Sequence, residues 1–224
     1  MKKKLDIIYE DKHLLVVNKP YGILTVSTYK ENERTMYHMA YSYQKQKHKS
    51  NKIFIVHRLD KDTSGVLIFA KDEKTKYLLQ DNWDNLVLSR KYMAVVHGKI
   101  SGEGVIKSYL KENFHLKVYS TSDKSGKLAI TKYKVISNKK SSSLVDIEIL
   151  TGRKNQIRVH FSDINNPILG DRKYGIKDNS NRLLLHAYKI VIKNPYTNEV
   201  MEFKAKLPKE FEKYIKEGND KNGT

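Results

Sequence analysis

Runs of apolar residues predict several strands of this chain. Residues 7–9 and 14–17 flank a short polar turn and together predict a β-hairpin. The uninterrupted apolar run 66–70 is typical of a buried strand, whereas residues 145–149 alternate apolar and polar side chains as a half-buried strand does. Further strands are predicted over residues 91–96 and in a second hairpin formed by 183–192 and 200–204.

Helical periodicity predicts fewer elements. Ile157, Phe161 and Ile164 recur at i, i+4 and i+7 and mark the apolar face of a short helix. The basic stretch 44–52 is predicted as an exposed loop, and residues 102–127, which lack a clear period, as loops and edge strands. Helices are predicted over residues 35–43, about 74–83, from near Asn155 onward, and 209–215.

The order of these elements predicts the fold class. Strands outnumber helices and do not alternate strictly with them, which indicates an α+β fold. We expect a single domain over residues 1–216, built on a mixed, largely antiparallel sheet flanked by helices and loops. Residues 217–224 are predicted to form a disordered tail.

Charge points to a class of partner. The chain has 43 lysines and arginines against 25 aspartates and glutamates, a formal net charge of +18. This excess is spread along the chain, which favours nucleic acid over a membrane surface, since membrane-surface proteins concentrate charge on one amphipathic helix. The absence of cysteine excludes disulfides and thiolate metal sites. Acidic residues interrupt the N-terminal segment before any apolar run develops, so we expect a cytoplasmic protein without a membrane anchor.

Charged residues are densest in the polar loop at residues 57–64. Arg58 and Lys61 flank Asp60, and nearby positive charge favours the carboxylate form of an aspartate. A carboxylate can act as a nucleophile or a base. The same pattern also suits a structural ion pair at Asp60 beside a chain turn capped by Asp62 and Thr63. The spacing alone leaves both interpretations open.

A second cluster lies at residues 151–160. It places Arg153, Gln156 and Arg158 around a glycine turn and a helix start, and both helix N-termini and arginines suit phosphate groups. An ordinary basic helix start would look the same. The histidines have no metal-ligand spacing, so we expect no metal, and His160 and His186 are predicted to be structural.

Four motifs make the chain similar to the RluA-type family of pseudouridine synthases over nearly its whole length. They are NKPYG at 18–22, HRLDKDTSG at 57–65, RKY at 90–92 and GRKNQIR at 152–158. The aspartate motif is far more specific than a glycine-rich turn. GKLAITKY at 126–133, PILGDRKYG at 167–175 and LLHA at 184–187 are also similar. The resemblance implies an enzyme that isomerises specific uridines of RNA to pseudouridine.

The resemblance also implies residue roles. Asp60 matches the family's catalytic aspartate, Tyr92 its active-site tyrosine, and Arg158 the arginine that pairs with the aspartate. Without the motif, Tyr92 would be interpreted as a core tyrosine. Asn155 stands where the family usually has histidine; it cannot titrate, so a proton role at that position is in question. Less direct, substrate-binding roles are implied for Lys19, Arg58, Arg153 and Gln156.

The implied reaction detaches uracil at nitrogen 1 and rejoins it through carbon 5, so it requires no cofactor. Asp60 could attack the sugar carbon or remove its neighbouring proton. The expected partner is structured ribosomal or transfer RNA, bound by a monomer, with the target nucleotide flipped out. Many relatives carry a small N-terminal RNA-binding domain, for which this chain has no room. The basic surface of the catalytic domain is therefore expected to dock the RNA.

Two rival hypotheses remain. One is a non-catalytic RNA-binding or ribosome-assembly protein of the same fold, against which intact Asp60, Tyr92 and Arg158 argue. The weaker one is a carboxylate-using hydrolase of a glycosidic bond, suggested by the proximity of Asp60 and Asp62 in the sequence.

Overall fold

A computed structural model describes residues 5–27 and 35–215, which fall into two compact units. The first unit comprises Met1–Arg90 and Ala187–Lys206, and the second comprises Lys91–His186 and Leu207–Thr224. The tail predicted at 217–224 lies outside the described residues. Within the described ranges, none of the helices is both long and apolar enough to cross a membrane.

Strands dominate the described chain. The strands are β1 (Ile7–Glu10), β2 (Leu14–Lys19), β3 (Phe54–Ile55), β4 (Ser64–Ala70), β5 (Val87–His97), β6 (Glu103–Glu112), β7 (Val118–Thr121), β8 (Lys127–Asn138), β9 (Ser142–Ile149), β10 (Leu185–Lys193) and β11 (Val200–Lys204). The helices are α1 (Met36–Lys47), α2 (Glu73–Asp81), α3 (Trp83–Leu86), α4 (Gln156–Asp163) and α5 (Glu212–Ile215), the last preceded by a 3-10 turn at Lys209–Phe211. The predicted α+β class is confirmed.

In the first unit the strand order is β1-β2-β4-β10, with β3 paired to β4 and β11 to β10. Both predicted hairpins are present, since β1 pairs with β2 and β10 with β11 in antiparallel fashion. Every residue of β4 is buried because helices cover both faces of the sheet. Leu67 and Phe69 face α1, while Val66 and Ile68 pack in the cluster that contains Leu79 of α2.

Helix α1 continues four residues beyond its predicted end, so the prediction of a loop from residue 44 was wrong for its first turn. The reason is a carboxylate: Glu10 accepts hydrogen bonds from Tyr43 Oη, Gln44 Nε2 and Lys47 Nζ, at 2.8, 2.9 and 2.8 Å. Lys71 Nζ donates to the same carboxylate at 2.9 Å. Burial would raise the pKa of Glu10, but these donors together lower it to about 2. The charged carboxylate therefore holds the last helical turn against the sheet.

In the second unit the strand order is β5-β9-β8-β6-β7, and each of these four pairings is antiparallel. Residues 102–127 form β6, β7 and the start of β8, so the expectation of loops and edge strands was wrong for β6, which lies between two partners. Lysines such as Lys107 and Lys111 occupy its exposed positions and hide the alternation. Helix α4 packs Ile157 and Phe161 into the core of this unit.

Candidate active site

The aspartate loop, residues 57–63, is held in place by the segment that follows β2. Lys19 Nζ and the backbone N–H of Gly22 both donate to the carbonyl oxygen of Lys61, at 2.9 and 3.0 Å. Thr25 Oγ1 donates to the carbonyl oxygen of Leu59 at 2.9 Å and accepts from its N–H at 3.2 Å. The carbonyl oxygens on both sides of residue 60 and the N–H of Leu59 are thus satisfied by one neighbouring segment, which fixes the loop.

Asp60 lies half-buried in this loop, and its carbonyl oxygen accepts the N–H of Thr63 at 3.2 Å. Arg58, two residues earlier, is exposed. Lys19 is completely buried, with its ammonium also donating to the carbonyl oxygen of Pro20 at 3.1 Å. A buried lysine bonded to two carbonyls fastens the loop rather than reaching for solvent or phosphate.

His57 begins the loop in a neutral state. Its Nε2 accepts the N–H of Ile68 at 3.0 Å, which places the ring proton on Nδ1, and the ring packs 5.3 Å from that of Trp83. Burial, together with the charge of Arg90, lowers the pKa of His57 to about 4. At neutral pH this histidine therefore serves as an acceptor that ties the loop to β4.

Gly65 ends the aspartate motif because nothing larger fits. Its φ is +120°, and a Cβ there would lie 2.1 Å from the carbonyl oxygen of Ala187. The glycine lets two backbones approach closely where the loop enters β4.

The second motif turns into α4 through a left-handed residue. Asn155 has φ 53° and ψ 19°, a conformation that asparagine adopts more readily than alanine, and its side chain accepts from Tyr174 Oη at 3.2 Å. Asn155 therefore has a conformational role at the position where the family usually has histidine.

Gln156 has a structural set of partners. Its Oε1 accepts from Thr151 Oγ1 and the N–H of Arg153, at 2.8 and 3.0 Å. Its Nε2 donates to the carbonyl oxygen of Ile130 and to Thr131 Oγ1, both at 3.0 Å. These four bonds use the whole capacity of a buried amide, so Gln156 fixes the start of α4. Arg153 is exposed except for a bond from its Nε to the carbonyl oxygen of Leu128 at 2.9 Å.

Arg158 is fixed on two sides. Its Nε and Nη2 donate to Asp171 at 2.8 and 2.6 Å, and its Cζ lies 5.2 Å from the ring centroid of Tyr174. Both members of the ion pair are buried, at 8% and 1% side-chain exposure. Burial would raise the pKa of Asp171, but bonds from Arg158 and from the N–H groups of Tyr174 and Lys173 hold it below its ordinary value. The guanidinium is thereby set in one orientation.

Tyr92 lies half-buried on β5 opposite Ile147 and packs against the apolar cluster that includes Ile157 and Phe161 of α4. Tyr92 thus shares an apolar cluster with residues of α4, the helix that carries Arg158. Arg58, Asp60 and Lys19 belong to the first unit, and Tyr92, Arg153, Gln156 and Arg158 to the second. The pairing of Asp60 with Arg158 stays a prediction.

Two residues that contact Arg158 were missed in the sequence. Asp171 and Tyr174 orient Arg158, and no periodicity marks either of them. Both residues belong to the motif at 167–175, which is similar to the family, but the resemblance implied no role for either of them. A pocket of about 680 Å³ in the second unit is lined by His97, Asp178 and Arg182 among others, and by none of the predicted site residues.

Comparison with known proteins decides the family. A sequence profile described as RNA pseudouridylate synthase matches residues 13–163, a range that contains all seven predicted site residues. The chain belongs to this family. An uncharacterized RNA pseudouridine synthase of Mycoplasma genitalium is 37% identical over 222 residues, which is 96% of this chain and 71% of that protein. Ribosomal large subunit pseudouridine synthase D of Borreliella burgdorferi is 38% identical over 221 residues, covering 92% of this chain and 66% of that protein.

A solved structure supports the fold assignment for this family member. Human RNA pseudouridylate synthase domain containing 4 superposes with a TM-score of 0.76 at 27% identity, covering 92% of this chain and 90% of that one. The RluA-type resemblance inferred from the motifs is confirmed by the similarity to ribosomal large subunit synthases. The chain is thus an RNA pseudouridine synthase, an isomerase.

Proposed function

We propose that this synthase isomerises specific uridines of ribosomal RNA, with Asp60 as the catalytic residue. The observation that carries the proposal is the aspartate motif at 57–65, held rigidly by the segment after β2 and lying within the range matched by the family profile. Ribosomal RNA is favoured because three relatives that are 32–38% identical are named ribosomal large subunit synthases.

Asp60 would act as a carboxylate, either by attacking the sugar carbon or by removing its neighbouring proton. By the family resemblance, Arg158 is proposed to pair with it. The contacts of Arg158 with Asp171 and Tyr174 support this role, because an arginine already fixed in orientation loses little further freedom when it meets a second anion.

Tyr92 is proposed to stack on the uracil and to help accept the proton that leaves carbon 5. Its packing against the apolar cluster that includes Ile157 and Phe161 of α4 supports this assignment. Tyr92→Phe should bind RNA nearly normally yet fail to complete isomerisation. Normal turnover in this variant would refute the role.

The substrate-binding set is revised by burial. Arg58 and Arg153 are exposed and remain proposed contacts for RNA phosphates. Lys19 and Gln156 are buried and bonded to backbone atoms, so we propose that they position the two motifs and do not touch RNA. We further propose that the enzyme acts as a monomer in the cytoplasm, which light scattering and cell fractionation would check.

Pseudouridine maps of total RNA from cells with and without the gene test the target. The proposal expects one or more ribosomal uridines to lose modification in the deletion strain and to regain it when the gene is restored. Loss of pseudouridine confined to transfer RNA would refute the ribosomal target but would agree with the assignment as a pseudouridine synthase.

A further inference from the structure

The hairpin between β6 and β7 presents large apolar side chains to solvent. We call residues 113–117 the hairpin tip. Phe114 is fully exposed, at 103% of its reference area, and Leu116 is 61% exposed. A single exposed apolar residue is ordinary, but two of them at the end of a projecting hairpin indicate a surface that is covered by a partner.

The exposure is built into the tip. Asn113 pairs with Lys117 through backbone N–H to carbonyl at 2.9 Å, and its Oδ1 accepts the N–H groups of His115 and Lys117, both at 3.0 Å. Leu116 takes a φ of 57°, an unfavourable conformation for a branched side chain, and its N–H donates to the carbonyl oxygen of Asn113 at 2.9 Å. The tip therefore has one defined conformation that turns Phe114 outward.

The tip is also fastened to the surroundings of Arg158. Lys173 Nζ donates to the carbonyl oxygen of Leu116 at 3.0 Å, and the N–H of Val118 donates to Tyr174 Oη at 3.0 Å. The same tyrosine lies against the Arg158 guanidinium. One aromatic ring thus connects the base of the tip to a residue proposed to serve in the reaction.

The charge around the tip suits a polyanion. Lys117 and Lys173 both lie over the face of Tyr174, at 5.7 and 5.5 Å from its centroid, and Lys111 is exposed on the adjoining strand. A flat, exposed aromatic ring among lysines matches an unpaired RNA base, which offers a face for stacking and a phosphate on either side. Protein interfaces, by contrast, are depleted in lysine.

We propose that the hairpin tip binds the substrate RNA, with Phe114 stacked on an unpaired base close to the target uridine and the surrounding lysines near its phosphates. This inference rests on the proposed function, because it gives the enzyme a second contact with the RNA that carries the uridine. Phe114 acts in RNA positioning and has no part in the chemical step.

The test compares Phe114→Ala and Phe114→Trp with Ile136→Ala, a control at a residue that is 52% exposed on β8 of the same unit. Total RNA from a strain lacking the gene serves as the probe, and both RNA binding and single-turnover pseudouridine formation are measured. All three variants should melt as the wild type does. Phe114→Ala should weaken binding by about fivefold to a hundredfold, the range expected for one lost base stack, while Phe114→Trp and Ile136→Ala should bind normally.

The outcomes separate the two proposals. Equal RNA binding and equal pseudouridine formation by Phe114→Ala and Ile136→Ala would overturn the proposed role of the tip in RNA binding. This is also the result expected if the tip binds a protein instead. The assignment of the chain as a pseudouridine synthase would be unaffected. A wild type that forms no pseudouridine, yet binds RNA in a Phe114-dependent way, would contradict the proposed function and support the tip.

Discussion

Removal of Asp171 should destabilise the protein by breaking its buried ion pair with Arg158. Asp171 accepts two charge-assisted hydrogen bonds from Arg158, at 2.8 and 2.6 Å, and two from the N–H groups of Lys173 and Tyr174, at 2.9 and 3.0 Å. Truncating one partner of such a pair costs about 3–5 kcal/mol, because the remaining charge stays buried. We therefore expect Asp171→Ala to lower the free energy of unfolding by this amount.

Asp171→Asn is a finer test of the same pair. Its Oδ1 can still accept both backbone N–H groups, but its amide would meet the Arg158 guanidinium, so the expected loss is about 1.5–3 kcal/mol. The pH dependence has a defined sign. Because the folded-state pKa of Asp171 is lowered, the pair stabilises the protein above about pH 4 and loses its effect as the pH falls further.

Urea unfolding followed by circular dichroism measures these losses. Asp81→Ala is the matched control, since Asp81 is exposed on α2, and it should change stability by less than about 0.5 kcal/mol. Combining Asp171→Ala with Arg158→Met should cost less than the sum of the two single changes. A loss below about 0.5 kcal/mol for Asp171→Ala would refute the structural importance of the pair.

Other buried polar groups give three further expectations. The pKa values of His57 and His160 are lowered to about 4, so these histidines bind protons more readily in the unfolded chain than in the folded one. The free energy of unfolding should therefore fall as the pH drops from about 6.5 to 4, and His160→Gln should make this pH dependence weaker. Lys19→Met should cost about 1–3 kcal/mol in urea unfolding, because the carbonyls of Pro20 and Lys61 each lose the ammonium as a donor. The exposed Lys12→Met should cost nothing, and equal curves for the two variants would count against the fastening role of Lys19. Both Asn155→Ala and Asn155→Gly lose the bond from Tyr174, but Asn155→Ala should be less stable than Asn155→Gly by about 1 kcal/mol in thermal unfolding. The reverse order would contradict the left-handed assignment.

The sequence predicted the strands that obey a simple period. The continuous apolar run in β4 and the alternation in β9 lead directly to buried and half-buried strands. Strand β6 was not predicted, because lysines occupy exposed positions along it and obscure the alternation of apolar and polar residues. The last turn of α1 was not predicted, because its side chains donate hydrogen bonds to Glu10, a residue that is distant in the chain.

The composition of the site stays a prediction from the motifs. The motifs singled out Asp60 and Arg158, and the alternatives of catalysis and structural pairing could not be separated by spacing. Lys19 illustrates the difficulty, since a lysine in a sequence is expected at the surface, whereas here it is completely buried and makes a tertiary contact with Lys61. Asp171 became visible only once the fold brought it to Arg158.

Pseudouridine formation by purified wild type and Asp60→Asn tests the central claim most directly. Both proteins are incubated with total RNA from the deletion strain, and pseudouridine is quantified by mass spectrometry. The account predicts product with the wild type and none with Asp60→Asn, at equal thermal stability and RNA binding. Equal product with both proteins would contradict the catalytic role of Asp60, and release of free uracil by the wild type would instead indicate a hydrolase.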